Sequence, residues 1–231
     1  MKKKTWLFII GVLTFLICFS LIFRDGIILD YLGINVPLPF TKTLEVPSIV
    51  SEIDQNNNGI PDHLDIVFTA RKEVDQRTTY KSVYYDGGYP PDTEGVCTDV
   101  VWRGLMGAGI NLKDLMDEDI GENTELYPRV AGTPDSNIDF RRVPNQSVFF
   151  KRFAEHLTTE IIKGDIDNLQ QWQPGDIVVF LGGDFDHVGI VSDKRTKDGI
   201  PYLIHNTYPF ASEIKLTSFT SPITGHYRWK Y

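Results

Sequence analysis

One cysteine and a pair of histidines are the residues of this chain best suited to covalent chemistry. Cys97 follows a stretch rich in Gly and Pro, 84–95, and opens a helix-like pattern over 97–106. Val100, Val101, Leu105 and Met106 make its apolar side, Asp99 and Arg103 are expected outside, and Gly107 and Gly109 mark its end. A helix start gathers unpaired N–H groups and the positive end of the helix dipole, so a thiolate at Cys97 is expected to be stabilised there. A proton acceptor must come from His63, His156, His187, His205 or His226. His187 and His205 flank or end consecutive expected strands, 188–192 and 202–205, with Gly199 in the turn between them. Antiparallel neighbours can hold both rings on one face. One ring would then take the thiol proton while the other orients it, with Asn206 as the rival for that third place. His63 and His156 read as surface residues, and His226 as structural or cleft-lining.

A second constellation lies upstream. Asp54, Asn56, Asn58, Gly59, Asp62 and Asp65 occupy positions one, three, five, six, nine and twelve of a calcium loop, and the Ile60 carbonyl supplies position seven. Alternate side-chain oxygens turn inward, and Gly59 permits the left-handed turn. Asp65 replaces the usual final Glu, which shortens its reach. The expected cofactor is one structural calcium ion held by Asp54, Asn56, Asn58, Ile60, Asp62 and Asp65. A solvated Asn-Asp turn is the plain alternative. Zinc on Cys97 and two histidines is a weaker idea, because no His-x-x-x-His or Cys-x-x-Cys pair exists.

The elements that must position these groups follow from patterning. Lys2, Lys3 and Lys4 precede an uncharged apolar run from Trp6 to Phe23, of the length that spans a bilayer core. No small-x-small cleavage site follows Phe23, so residues 1–23 read as a signal anchor or transmembrane helix; cleavage would also export the rest. The chain is therefore expected at the cell membrane, single-pass, with its domain extracytoplasmic. Cys18 lies inside the apolar run, which leaves Cys97 the only thiol of the exported part and excludes an internal disulfide there. Pro37, Pro39 and Pro47 make 24–50 a spacer, 51–80 a segment of loop plus helix (64–77), and 81–231 the main domain. A further helix is expected over 148–162 and a strand over 177–181. Helices followed by antiparallel strands mean α+β. With a net charge of −8 over 231 residues, the acidic surface argues against nucleic acid as a partner.

The motifs also carry a resemblance. The Cys97 helix, Pro174-Gly175-Asp176-Ile177-Val178, His187-Val188-Gly189-Ile190 and Ile204-His205 are similar, in this order, to NlpC-type cell-wall peptidases. More closely, the stretch from Tyr85 to Trp229 resembles the bacterial domain-of-unknown-function family 1287. The matching pieces are Gly95-Val96-Cys97-Thr98-Asp99-Val100-Val101, Asn137 to Asn145, Asp186 to Ser192 and Ile223 to Arg228. The resemblance implies a papain-like, NlpC-type domain whose helices pack on an antiparallel sheet. It implies a cysteine hydrolase of amidase or peptidase kind, with Cys97 as nucleophile, His187 as base and His205 as orienting residue. It also implies an oxyanion-stabilising tyrosine upstream, best matched by Tyr85 and next by Tyr89. A cell-wall peptide is the implied substrate. Arg141 and Arg142, before Val143-Pro144 in a loop, could bind a substrate carboxylate or form an ordinary structural ion pair, and the residues leave both readings open. Thr98-Asp99 stands where the peptidases usually carry Ser-Gly, so their specificity does not carry over. A thiol esterase or acyltransferase, and a non-catalytic envelope-binding module, remain alternatives.

Overall fold

The computed structural model describes residues 2–23, 43–49, 51–130 and 132–230. The chain divides into two units, Met1–Thr41 and Lys42–Tyr231. In the first, helix α1 spans Lys2–Phe23, with exposed apolar side chains between Trp6 and Ile17. Among the described residues no helix is long and apolar enough to cross a membrane, so the span expected over 1–23 rests on the sequence alone. Most of the expected spacer, 24–42 and residue 50, lies outside the described residues. Residues 43–49 are tied to the second unit's own loops: the Leu44 amide donates to the Lys197 carbonyl (2.7 Å) and the Ile49 amide to Gln173 Oε1 (3.1 Å).

The second unit contains helices α2 (Asp62–Asp75), α3 (Cys97–Gly107), α4 (Leu112–Glu122), α5 (Val143–Phe153) and α6 (Ile166–Leu169). Its strands are β1 (Thr79–Tyr80), β2 (Glu94–Gly95), β3 (Glu155–His156), β4 (Ile177–Phe180), β5 (His187–Arg195), β6 (Pro201–Thr207), β7 (Phe210–Lys215) and β8 (Ile223–Arg228). Among the described residues they form one eight-stranded sheet in the order β2-β1-β7-β6-β5-β4-β8-β3. Every pairing is antiparallel except β1 with β2. The architecture is mixed α and β, with helices against a largely antiparallel sheet.

The sheet is covered on both faces, and β4 is accordingly apolar at every position and buried throughout. Ile177, Val179, Val188, Ile190 and Ile204 pack against α2 and α3. Val178, Phe180, Val191 and Leu203 pack against Trp172 and Leu216 on the other side. Gly104 lets α3 approach closely: a Cβ there would lie 2.6 Å from Ile190 Cδ1 and 3.2 Å from the Ile66 carbonyl. This contact seats the helix that begins with Cys97.

Three local expectations change. The helix expected over 148–162 is α5, Val143–Phe153. Pro144 starts it earlier, because its fixed φ suits a first turn and its missing N–H costs nothing there. It stops earlier because Glu155 and His156 leave to pair with Arg228 and Tyr227 of β8. Asp99 and Arg103, expected outside, are both buried and bonded. His63 is buried too, at the start of α2.

Candidate active site around Cys97

Cys97 is the first residue of α3, with Val96 as the N-cap. Three backbone amides bear on its sulfur, those of Val188, Thr98 and Cys97 itself. The Val188 contact places the thiol against the His187–Val188 peptide at the start of β5. The expectation of a low thiol pKa is overturned. Burial pushes the Cys97 thiol up to about 12; the three amides pull it down, Asp99 pushes it further up, and burial wins. The helix start does what was expected of it, but Cys97 is only 7% exposed as a residue and desolvation is the larger effect.

The two histidines meet. His187 Nε2 lies 2.8 Å from His205 Nδ1, and His205 Nε2 lies 3.1 Å from Ser212 Oγ. The register explains it: Ser212 is the β7 partner of His205, and His205 is set diagonally from His187 across β6 and β5. The chain of bonds couples the two tautomers through the donor inventory. If His187 is to keep Nδ1 as a base, Nε2 carries the proton and donates to His205 Nδ1; His205 Nε2 then donates to Ser212. Burial lowers the His187 pKa well below its ordinary value, with the neighbouring His205 adding to the effect, and burial lowers His205 to about 4. Both rings are therefore neutral near pH 7, as that chain requires. Phe219 stacks on the His187 ring at 4.5 Å, and Phe185 meets it edge-on at 6.0 Å. No hydrogen bond joins the Cys97 sulfur to the His187 ring among the described residues. At rest the thiol lies against the Val188 amide and is neutral, and the His187 imidazole, stacked on Phe219, is neutral and bonded to His205.

The other expected site residues are placed differently. The Tyr85 hydroxyl donates to Glu94 Oε2 (2.9 Å), and Arg141 lies over the Tyr85 ring at 5.0 Å. Tyr80, on β1, has its phenol pushed up by burial first and by a Cys97 thiolate second. β1 brings it there by pairing with β2, where Tyr80 sits beside Gly95, two residues before Cys97. Tyr89 packs on Trp102 and Phe140. Arg141 is not available to a substrate carboxylate. Its guanidinium forks onto buried Asp99 (2.7 and 2.8 Å) and its Nη1 reaches the Val83 carbonyl (3.0 Å). Arg142 stands 3.5 Å from Asp139 and keeps a third of its side chain exposed. Asn206, the rival third residue, turns to the α2–α3 side and donates to the Thr78 and Gly95 carbonyls, each at 3.3 Å. His226 is removed from the cysteine by its own bonds. Its ring stacks on Trp172 and reaches the Thr158 carbonyl (2.7 Å) and Asp176 Oδ2 (2.9 Å). Tyr80 and Ser212 were missed because neither stands in a recognisable motif; the pairing of β1 with β2 and of β6 with β7 brings them in.

Residues 67–229 match the family described as "Domain of unknown function (DUF1287)". The chain belongs to this family. The DUF1287 match takes in Cys97, His187, His205, Tyr80 and Ser212, and it begins after the Asp54–Asp65 loop. The chain is also similar to the protein named "Uncharacterized protein YijF" of Escherichia coli strain K12, 36% identical over 195 residues, which is 81% of this chain and 89% of that one. Among solved structures, it is similar to an N-acetylmuramoyl-L-alanine amidase from Bacteroides uniformis, with a TM-score of 0.44 and 14% identity over 74% of this chain and 99% of that one. At that level the likeness carries no argument about function. Among the described residues no three His, Cys, Asp or Glu side chains gather as a metal centre.

Proposed function

We propose that this DUF1287 domain is a papain-like, NlpC-type thiol hydrolase that cleaves an amide through a thioester, in peptides of the cell wall. The observation that carries it is the 2.8 Å bond from His187 Nε2 to His205 Nδ1, with the amide of the next residue, Val188, bearing on a sulfur at the N-terminus of a helix. In this reading the thiol proton moves to His187 Nδ1 as sulfur attacks the carbonyl carbon. The new oxyanion accepts from the Cys97 amide and the Tyr80 hydroxyl. Collapse breaks the C–N bond, and the imidazolium gives its proton to the departing amine. Water, deprotonated by His187, then releases the acid and restores the thiol. The substrate class rests on the motif resemblance to cell-wall peptidases, and its setting on the Lys2–Phe23 helix read as a membrane anchor. Protease added to intact spheroplasts should digest the domain if that anchor holds; full protection would refute export.

Muropeptide digestion followed by mass spectrometry tests the chemistry. The wild-type chain should release new amine and carboxyl termini, and Cys97→Ala should release none. Tyr80→Phe should lower kcat by about 100-fold, the usual effect of losing one oxyanion donor, whereas Tyr85→Phe should change it little. No product from any muropeptide, with the wild-type chain folded, would make the domain an envelope-binding module. Equal losses in the two tyrosine variants would remove Tyr80 from the mechanism.

A further inference from the structure

The Asp54–Asp65 loop precedes the family match and has no part in the thiol chemistry, yet it is built around a point that lacks a charge. Asp62 is fully buried at the first position of α2. Its Oδ1 accepts from the Gln55 amide (3.0 Å), while its Oδ2 is buried with no hydrogen-bond partner. An unpaired buried carboxylate oxygen is costly, and a cation is the partner that satisfies it best. The charges of Asp54 and Asp65 bear on the same carboxylate, so three acids face one another without a base among them.

The rest of the loop carries side-chain oxygens that its own backbone amides hold in place. Asp54 accepts from the Asn58 and Gly59 amides, at 3.1 and 2.8 Å. Asn56 Oδ1 accepts from the Asn58 amide (3.0 Å) and Asn58 Oδ1 from the Ile60 amide (2.8 Å). Gly59 turns the chain at φ +87°. Both Asn amide groups point their Nδ2 at one atom, Asp65 Oδ2, at 2.9 and 2.8 Å. Those N–H groups occupy the place of a positive charge. This is why the carboxylates alone do not gather as a metal centre: neutral amides stand between them. An amide oxygen has two lone pairs, so Asn56 and Asn58 can keep their turn bonds and still face an ion. Magnesium asks for strict octahedral geometry and holds its water, whereas calcium accepts six to eight flexible oxygens.

We propose that this loop binds one calcium ion, through the side chains of Asp54, Asn56, Asn58, Asp62 and Asp65 and the Ile60 carbonyl. Asn56 Nδ2 also donates to the Gly107 carbonyl at the far end of α3 (3.0 Å). The ion therefore braces the start of α2 and the end of the helix that carries Cys97. This holds whether or not Cys97 is a nucleophile.

The test is calorimetric titration of calcium chloride into the metal-stripped full-length chain in detergent micelles, with magnesium chloride as control and melting temperature as a second readout. One ion per chain should bind with a Kd of about 10⁻⁴ to 10⁻³ M, and the melting temperature should rise with calcium and not with magnesium. Asp62→Asn and Asp54→Asn should each weaken binding at least about tenfold. If Asp62→Asn does not fold, Asn58→Ala on the exposed side of the loop decides in the same way. No binding heat and no melting shift up to about 10 mM calcium, or equal affinity in the loop variants, overturns the site.

Discussion

Iodoacetamide should alkylate Cys97 slowly at pH 7, and the rate should climb about tenfold for each pH unit through pH 9 without a plateau. The cause is the thiol's place in the structure: burial pushes it up to about 12, and burial holds the rings of His187 and His205 neutral. The sign is fixed by the charged form. Burial disfavours the thiolate and disfavours the imidazolium, so the resting pair carries no charge and only hydroxide makes free thiolate. His187→Ala should therefore keep the shape of the labelling profile. The same variant should lower hydrolysis by about 10⁴-fold or more, since the proton transfer that accompanies attack then has no acceptor. This split separates a neutral pair from a preformed ion pair, in which labelling would level off near neutral pH and fall sharply on removal of His187. A plateau of that kind would refute the neutral resting state. If the thiol stays unreactive through pH 9 until denaturant is added, Cys97 is a core residue and the hydrolase reading falls with it.

The parts of this site that are local in sequence were legible from it, and the parts made by long-range pairing were not. α3 reads directly, because Gly and Pro precede Cys97 and apolar residues then recur on a helical period. β4 and β5 read equally well, as an apolar run and a strand opened by His187, so the meeting of His187 and His205 was foreseeable from antiparallel pairing alone. Tyr80 was not. It sits in a two-residue strand whose partners, Gly95 on β2 and the Phe210 end of β7, are far away in the chain. No periodicity marks so short a strand. Cys97 shows a different limit. A helix N-terminus lowers a thiol pKa by local dipoles, which sequence reveals; burial raises it through the packing of the whole sheet, which sequence does not. Arg141 shows a third. An Arg-Arg pair in a loop reads equally as an anion site and as a structural ion pair until the fold brings Asp99 beneath Arg141. α4 carried a readable signal that went unused: Leu112, Met116 and Ile120 repeat at helical spacing behind an Asn111 cap, and all three are buried.

That Asp99 pairing predicts a large effect on stability. Asp99→Ala should destabilise the domain by about 3–5 kcal/mol, the usual result of stranding one member of a buried ion pair, a large share of the roughly 5–15 kcal/mol that holds a domain together. Asp99 is fully buried and accepts four bonds: from the Val96 amide (2.7 Å), from Trp102 Nε1 (2.8 Å) and two from Arg141. The first of these caps the helix that Cys97 opens. Thr98 adds a bond from its hydroxyl to the Arg141 carbonyl (3.0 Å), so the Thr98-Asp99 pair locks the 139–141 segment onto the helix that begins with Cys97. Removing the carboxylate leaves a guanidinium buried with the Val83 carbonyl and the face of the Tyr85 ring but no countercharge. Arg141→Lys should also be costly, because an ammonium cannot fork onto both oxygens. Asp99→Ala with Arg141→Met should lose less than the sum of the two single changes, since no unpaired charge is left behind. Arg142→Ala should cost about 1 kcal/mol or less, as a partly exposed partner of Asp139. Urea unfolding of the five variants, Arg141→Met alone included, measures all of this. If Asp99→Ala unfolds at the wild-type midpoint, or the single losses simply add, the pair does not hold the helix start in place, and the position of the Cys97 sulfur must be maintained by the sheet alone.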